Sequence, residues 1–203
     1  MRTLAIDTAT EACSVALLDS STLLGAYHEV LGRGHAERLV PAIAALPDNG
    51  RANRILVSLG PGSFTGVRIG IAAARALGIA WNAEVLGYPT LALVSAEARS
   101  RYPGKPVSVA MHGGHGEVFV QDFDGDGLPQ GEIQSLPLEA AAKAATHPIV
   151  AGTKAEDLQY ARGHGIAAPM HPNTQRIESV PEALVVSTIR PIYGREPDAK
   201  LPS

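Results

Sequence analysis

Two short segments of the chain hold residues whose types and spacing could bind a phosphate group. The first is Ala5-Ile-Asp-Thr-Ala-Thr10, in which an acidic residue ends an apolar run and hydroxyls follow it. A carboxylate at the end of a buried strand, with hydroxyls in the next turn, can approach a phosphate or its magnesium ion. An ordinary turn in which Asp7 or Thr8 bonds the backbone has the same spacing, so both interpretations stay open.

The second segment is glycine-rich and reads Gly60-Pro-Gly-Ser-Phe-Thr-Gly-Val-Arg-Ile-Gly70. Backbone amides in such a turn, at the start of a helix, can bind an anion. No Lys follows the glycines, so this is not a Walker A loop, and the spacing is not that of a Rossmann turn. The alternative is a tight strand-to-helix turn capped by Ser63 or Thr65. Together the two segments predict a phosphate site formed by Asp7, Thr8, Thr10, Gly60, Gly62, Ser63 and Thr65.

Small residues recur every fourth position behind the glycine-rich turn, at Gly66, Gly70, Ala74 and Gly78. Such a stripe lets another helix approach the helix backbone closely. Three glycines inside a helix cost about 1 kcal/mol each relative to alanine, so a close neighbour must offset that cost. The sequence leaves open whether the neighbour belongs to this chain or to another subunit.

Three further residues resemble reactive or metal-binding groups. His112 and His115 stand in a Gly-Gly turn, without the intervening Glu of a zinc peptidase or a third ligand nearby, so we expect no metal site. Cys13 lies in an apolar run without an adjacent basic residue and is predicted to be a buried, inert thiol. A single cysteine excludes an internal disulfide and indicates a reducing compartment, here the cytoplasm.

Alternating and helical apolar patterns define the elements that position these segments. The first half predicts strands over 2–7, 13–18, 22–30, 54–60 and 84–88, and helices over 35–46, 64–81 and 90–101. The second half predicts strands over 107–111, 117–123 and 147–151, helices over 138–145, 155–162 and 181–189, and an irregular tail over Arg190–Ser203. Three strands, a helix, a strand and a helix, followed by a weaker copy of that order, are typical of a duplicated ribonuclease H-like fold.

The predicted class is therefore α/β, with the actin-like ATPase (ASKHA) architecture and a reduced second domain. We place the first domain at residues 1–100 and the second at 101–203. The 203 residues contain 45% hydrophobic and 18% charged side chains, which is ordinary globular composition. Asp7 ends the first apolar run too early for a signal peptide, and no membrane-spanning run is present. A net charge of −3 predicts that any RNA contact depends mostly on a partner.

The two segments resemble the signature segments of the bacterial TsaB (YeaZ) family of tRNA threonylcarbamoyladenosine biosynthesis proteins. The resemblance extends over Leu4–Leu17 and Gly60–Gly70, with further similarity in His35-Ala-Glu-Arg-Leu-Val-Pro41 and Arg190-Pro-Ile-Tyr-Gly-Arg195. It is dense over the first ~90 residues, thin in the middle and present again near the end. It departs at Met111–Phe119, where the family usually reads Asp-Ala-Arg-x-Gly-Glu-Val-Tyr and only Gly116, Glu117 and Val118 match.

The resemblance implies a scaffold subunit without catalytic residues, whose phosphate site is vestigial. Such a subunit dimerises with and activates a TsaD-type catalytic paralogue, and a TsaE-type ATPase joins them. The complex forms N6-threonylcarbamoyladenosine at position 37 of tRNAs that read codons beginning with A. No cofactor is required by this chain, with ATP or ADP expected at the complex interface, and a homodimer is an alternative assembly in isolation. The remaining alternative is a stand-alone kinase, ATPase or M22-like peptidase.

The same resemblance implies that helices of the first domain bind the partner. With the glycine stripe, it predicts a partner-binding face formed by His35, Arg38, Leu39, Ile43, Gly66, Gly70 and Ala74.

Overall fold

The computed structural model describes residues 1–194; the rest of the tail predicted over Arg190–Ser203 lies outside the described residues. Its first sheet has the strand order β3-β2-β1-β4-β5. The first three strands form two antiparallel hairpins, and the last two run parallel to the first strand. The strands are β1 (Arg2–Asp7), β2 (Ala12–Asp19), β3 (Thr22–Val30), β4 (Arg54–Ser58) and β5 (Glu84–Tyr88).

The second sheet repeats this arrangement with the order β10-β9-β6-β7-β8. Again three antiparallel strands are followed by two strands parallel to the first of the set. The strands are β6 (Val107–Gly114), β7 (Glu117–Phe123), β8 (Gln134–Pro137), β9 (Ile149–Ala151) and β10 (Ile166–Ala168). The predicted duplication is thus confirmed. Strands β8 and β10 were not predicted, because four and three residues are too few to display an alternating pattern.

Helices cover the outer faces of both sheets and fill the space between them. They are α1 (His35–Ala44), α2 (Phe64–Trp81), α3 (Thr90–Arg101), α4 (Leu138–Ala144) and α5 (Ala155–Arg162). Helices α1 and α2 pack on one face of the first sheet, and α4 and α5 pack on the outer face of the second. Residues 90–98 of α3 are all buried, since this helix lies in the core that both sheets share. The boundary between the two domains, placed between residues 100 and 101, stays a prediction.

The prediction of a helix over residues 181–189 is wrong. Only Glu182–Leu184 forms a single 3-10 turn. Val186 then pairs with Gly87 at the edge of β5, through N–H···O bonds of 2.8 and 2.9 Å. The apolar residues of this stretch therefore cover a sheet edge, where an unpaired strand would otherwise expose its amides. Within residues 1–194 no helix is both long and apolar enough to cross a membrane.

Candidate functional site

A cleft with a volume of about 1060 Å³ lies between the glycine-rich turn and the rim of the second sheet. The β1–β2 turn contributes Thr10 and Glu11, and the start of α2 contributes the loop from Gly62 to Gly66. Met111–His115 and Thr153 form the opposite rim. Among the residues predicted to bind phosphate, the cleft brings together Thr10, Gly62, Ser63 and Thr65.

Asp7 does not line this cleft, although it ends β1 as predicted. Its side chain is only 1% exposed, and its Oδ1 accepts the Ala9 N–H at 3.0 Å. The Tyr88 hydroxyl donates to the Ile6 carbonyl at 3.0 Å and lies 3.4 Å from Asp7 Oδ2. Burial raises the pKa of Asp7 to about 6, against the opposing effect of hydrogen bonds from Ala9, Ser58 and Tyr88. The Asp7 carboxyl group therefore bonds the backbone of its own turn, which is the alternative to phosphate binding.

Thr8 is equally buried and holds the glycine-rich helix against the first sheet. Its hydroxyl donates to the Gly66 carbonyl at 2.7 Å. A Cβ at Gly66 would lie 2.1 Å from the Thr8 carbonyl oxygen, and one at Gly62 would lie 2.0 Å from the Ala9 carbonyl oxygen. These glycines are therefore required because the β1–β2 turn touches the helix backbone directly. The neighbour that offsets their cost belongs to this chain.

The N-terminus of α2 is capped by its own sequence. The Ser63 hydroxyl accepts the Gly66 N–H at 3.2 Å, as the capping alternative predicts. Gly60 precedes it with a φ of +92° and a cis peptide bond to Pro61, and it lies outside the cleft lining. Thr65 is exposed beside the cap. The glycine-rich turn thus functions in the structure as a strand-to-helix connection.

Most of the residues predicted to bind a partner are buried inside this chain. Leu39, Ile43 and Ala74 are at most 3% exposed and pack in the core beneath α1 and α2. A Cβ at Gly70 would lie 2.6 Å from the Thr8 hydroxyl, so Gly66 and Gly70 both face the sheet. These five positions face the core of this chain, because the apolar and glycine stripes supply the inner faces of the helices. A role for them in binding a partner stays a prediction.

The two remaining residues of that prediction differ from each other. His35 is also buried, with its Nε2 3.3 Å from the Ala12 carbonyl oxygen, and it lines the cleft. Arg38 is exposed on α1, where its Nε lies 3.7 Å from a Glu29 carboxylate oxygen. Only Arg38 is therefore available on the outer surface of the predicted face.

The outer surface of α1 and α2 carries apolar side chains at positions outside the predicted partner-binding face. Val40 is 58% exposed on α1, while Phe64 and Ile79 are 56% and 85% exposed on α2. Ala72 and Ala76 lie between the last two along α2 and are also exposed. The signal was available, because an amphipathic helix that buries one stripe must present the residues of the opposite stripe. We call these five residues the outer helix face.

The C-terminal part of the described chain was predicted to be irregular, yet it forms one border of this surface. The Ile192 N–H donates to the Leu59 carbonyl at 2.7 Å, which fixes the segment beside the glycine-rich turn. The Tyr193 hydroxyl accepts an Arg68 N–H at 3.0 Å, and its ring lies 5.9 Å from that of Phe64. Hydropathy patterns cannot reveal such contacts, because they depend on residues more than a hundred positions apart.

The cysteine and the two histidines that resembled reactive or metal-binding groups are Cys13, His112 and His115. Cys13 is fully buried, and burial raises the pKa of its thiol to about 11. His112 and His115 stand on the rim of the cleft. Among residues 1–194, no group of three or more His, Cys, Asp or Glu side chains is placed to hold a metal ion. The divergent Met111–Phe119 stretch forms the β6–β7 hairpin, with a register shift between His112 and Gly114.

Comparison with known proteins assigns a family to this geometry. The family described as TsaD, tRNA N6-adenosine threonylcarbamoyltransferase, matches residues 21–170. The tRNA threonylcarbamoyladenosine biosynthesis protein TsaB of Escherichia coli K12 is 38% identical over 139 residues, which are 65% of this chain and 60% of that protein. The chain thus aligns with less than two thirds of that relative's length.

Solved structures resemble the chain over nearly its whole length. A crystal structure described as an uncharacterized protein with similarity to peptidase YeaZ from Pseudomonas aeruginosa has a TM-score of 0.81 and 30% identity. It covers 96% of this chain and 99% of its own. The ethanolamine utilization protein EutJ of Carboxydothermus hydrogenoformans, at 10% identity, has a TM-score of 0.50, covers 89% of each chain and shares the actin-like ATPase fold alone.

Proposed function

We propose that this chain, which belongs to the TsaB (YeaZ) family, takes part in the threonylcarbamoyladenosine modification of tRNA. We propose that it acts as the scaffold subunit that dimerises with a TsaD-type catalytic subunit and activates it. A TsaE-type ATPase joins the pair, and tRNA is reached through the complex. The product is N6-threonylcarbamoyladenosine at position 37 of tRNAs that read codons beginning with A, formed in the cytoplasm.

The observation that carries the scaffold role is the outer helix face. Exposed large apolar side chains are costly in water, and Ile79 is 85% exposed while Val40 is 58% exposed. Between Phe64 and Ile79, the small side chains Ala72 and Ala76 leave the helix backbone open to close approach by another helix. A paralogous subunit would present similar helices, so we place the heterodimer interface here, with a homodimer through the same face as the alternative in isolation.

The cleft supports a role other than independent catalysis. Asp7 and Thr8, which could have approached a phosphate, bond inward to the chain's own backbone. We therefore propose that no cofactor is required by this chain and that ATP or ADP binds at the interface of the assembled complex. A stand-alone ATPase, kinase or peptidase is the competing function, and assays of the purified chain alone test it.

The experiment compares modification with and without the chain. The catalytic subunit and the ATPase of the same organism are incubated with tRNA, ATP, threonine, bicarbonate and the enzyme that supplies threonylcarbamoyl adenylate. We expect modified adenosine, measured by mass spectrometry of nucleosides, only when this chain is added. The isolated chain should neither hydrolyse ATP nor cleave casein. Turnover by the isolated chain, or full modification without it, would contradict the proposal.

The interface is tested with a matched pair of variants. Ile79→Asp places a charge on the outer helix face, whereas Tyr160→Asp places one at an 87% exposed position of α5. We expect Ile79→Asp to weaken binding to the catalytic subunit by at least about tenfold, because a buried, unpaired charge is costly at an interface. Tyr160→Asp should bind like the wild type in calorimetry. Equal affinities of the two variants would place the interface elsewhere.

A further inference from the structure

Two exposed arginines of α2 contact the C-terminal segment and lie beside the outer helix face. Arg68 donates to the Tyr193 hydroxyl at 3.0 Å, and its guanidinium stacks 3.3 Å above the centroid of the Phe64 ring. Arg75 donates to the Ile189 carbonyl at 2.7 Å. A guanidinium has five N–H donors, so each bond leaves most of the donors of that arginine directed toward solvent.

Neither arginine has an acidic partner in the described part of the chain. The ion pairs found within residues 1–194 involve other basic groups, and no carboxylate lies within 4.0 Å of Arg68 or Arg75. The two positions are seven residues apart, which is two helical turns or about 10 Å along the axis. Both are exposed, and they lie on the same side of α2 as Ala72 and Ile79.

We infer that Arg68 and Arg75 form a paired docking site for two carboxylates of the catalytic subunit, set about 10 Å apart on one of its helices. This inference rests on the proposed function and specifies what the partner surface must carry. Ala72 and Ile79 stand beside the two charges, so the partner helix carries apolar residues between its acidic ones. Arginine suits this role because its planar fork can bind a carboxylate through two hydrogen bonds.

The C-terminal segment has a distinct role in this site. Long arginine side chains lose conformational freedom when they bind, and contacts that hold them beforehand reduce that loss. The Tyr193 hydroxyl and the Phe64 ring fix the guanidinium of Arg68, and the Ile189 carbonyl fixes that of Arg75. Tyr193 is therefore a positioning residue, which acts through Arg68.

Phosphate groups of RNA are the other anions that two arginines could bind. The surroundings favour a protein surface, because the side chains beside the arginines are apolar and the chain as a whole carries a net charge of −3. RNA-binding surfaces combine many basic groups, whereas Ala72, Ala76 and Ile79 would gain nothing from a phosphate backbone. We therefore assign the site to a protein partner.

The test measures binding of the isolated catalytic subunit to the full-length chain. Arg68→Glu with Arg75→Glu should weaken affinity about a hundredfold, because both charges then repel the partner's carboxylates. Lys105→Glu with Lys143→Glu, two exposed lysines of the second half, changes the net charge equally and should leave the affinity unchanged. Raising the salt concentration should weaken the wild type more than the arginine variant.

The positioning role of Tyr193 is read from a double-mutant cycle. Tyr193→Phe keeps the ring but removes the acceptor for Arg68, so we expect a loss of affinity of about threefold. In an Arg68→Met background, the same substitution should have no further effect. Equal losses in both backgrounds would mean that Tyr193 contacts the partner directly and does not act through Arg68.

The outcomes separate this inference from the proposed function. If the arginine variant binds normally while Ile79→Asp binds weakly, the acidic docking site is overturned and the scaffold role stands. If the arginine variant binds the catalytic subunit normally but the assembled complex loses affinity for tRNA, the site binds phosphates and the inference is also overturned. Rescue of the arginine variant by a partner in which two acidic residues of one helix are changed to lysine would support it directly.

Discussion

Replacing the buried Asp7 by asparagine should remove one pH-dependent component of stability. The carboxyl group is 1% exposed, and burial raises its pKa to about 6 from the ordinary value of 3.8. A raised pKa means that the folded chain holds the proton more tightly than the unfolded chain does. The stability that this group contributes is complete below the unfolded pKa and is lost as the pH rises through the folded pKa.

The size of the effect follows from the difference between the two pKa values. A tenfold difference in proton affinity corresponds to about 1.4 kcal/mol, so the interval between 3.8 and about 6 corresponds to about 3 kcal/mol. Nearly all of it is lost by about pH 8, and about a third of it, roughly 1 kcal/mol, is already lost at about pH 4.5. The substituted asparagine would be neutral at every pH, and its amide oxygen can still accept the Ala9 N–H that bonds Asp7 Oδ1.

The assay is urea unfolding of the wild type and of Asp7→Asn across this pH range. The offset between the two proteins at one pH includes the cost of placing two amide donors in the site. The change in that offset with pH isolates the carboxyl group. We expect the variant to gain about 2 kcal/mol relative to the wild type between about pH 4.5 and about pH 8.

Asp126→Asn is the matched control, because it removes one negative charge at an exposed turn position. An offset for Asp7→Asn that is constant with pH would refute the reasoning, since it would mean that folding leaves the proton affinity of Asp7 unchanged. The modification activity of the complex should stay within a few-fold of the wild type. A loss of about a hundredfold, or ~2.7 kcal/mol of transition-state stabilisation, would assign Asp7 a catalytic role.

Two further predictions concern the packing beneath the candidate site. Gly66→Ala should destabilise the isolated chain by more than about 3 kcal/mol, because the added methyl would lie 2.1 Å from the Thr8 carbonyl oxygen. The control, Ala72→Leu on the exposed side of α2, should leave the thermal midpoint almost unchanged. A Gly66→Ala midpoint within a degree or two of the wild type would contradict this packing. The Cys13 thiol, whose pKa burial raises to about 11, should react with a disulfide reagent at about pH 8 only after unfolding. Stoichiometric reaction of the folded chain within minutes would show that the thiol is accessible.

The sequence determined the fold class because its signals are local and repeated. Alternation of apolar residues defined the hairpins of the first sheet, and the glycine-rich turn marked the junction between β4 and α2. The family resemblance also depended on contiguous segments, since Gly60–Gly70 can be recognised without knowledge of any distant contact. Short elements such as β10, with three residues, were lost because they carry no period of their own.

The side of each helix that faces outward follows from packing, which local sequence patterns do not reveal. The glycine stripe of α2 was consistent with a partner or with an internal neighbour, and the close approach of the Thr8 carbonyl to Gly66 identified the neighbour as β1 and its turn. The same is true of the pairing of Arg68 with Tyr193, which are 125 positions apart. Sequence periodicity indicates that a helix has two faces. Burial of one face against another element leaves the other face for a partner, and that burial depends on long-range contacts.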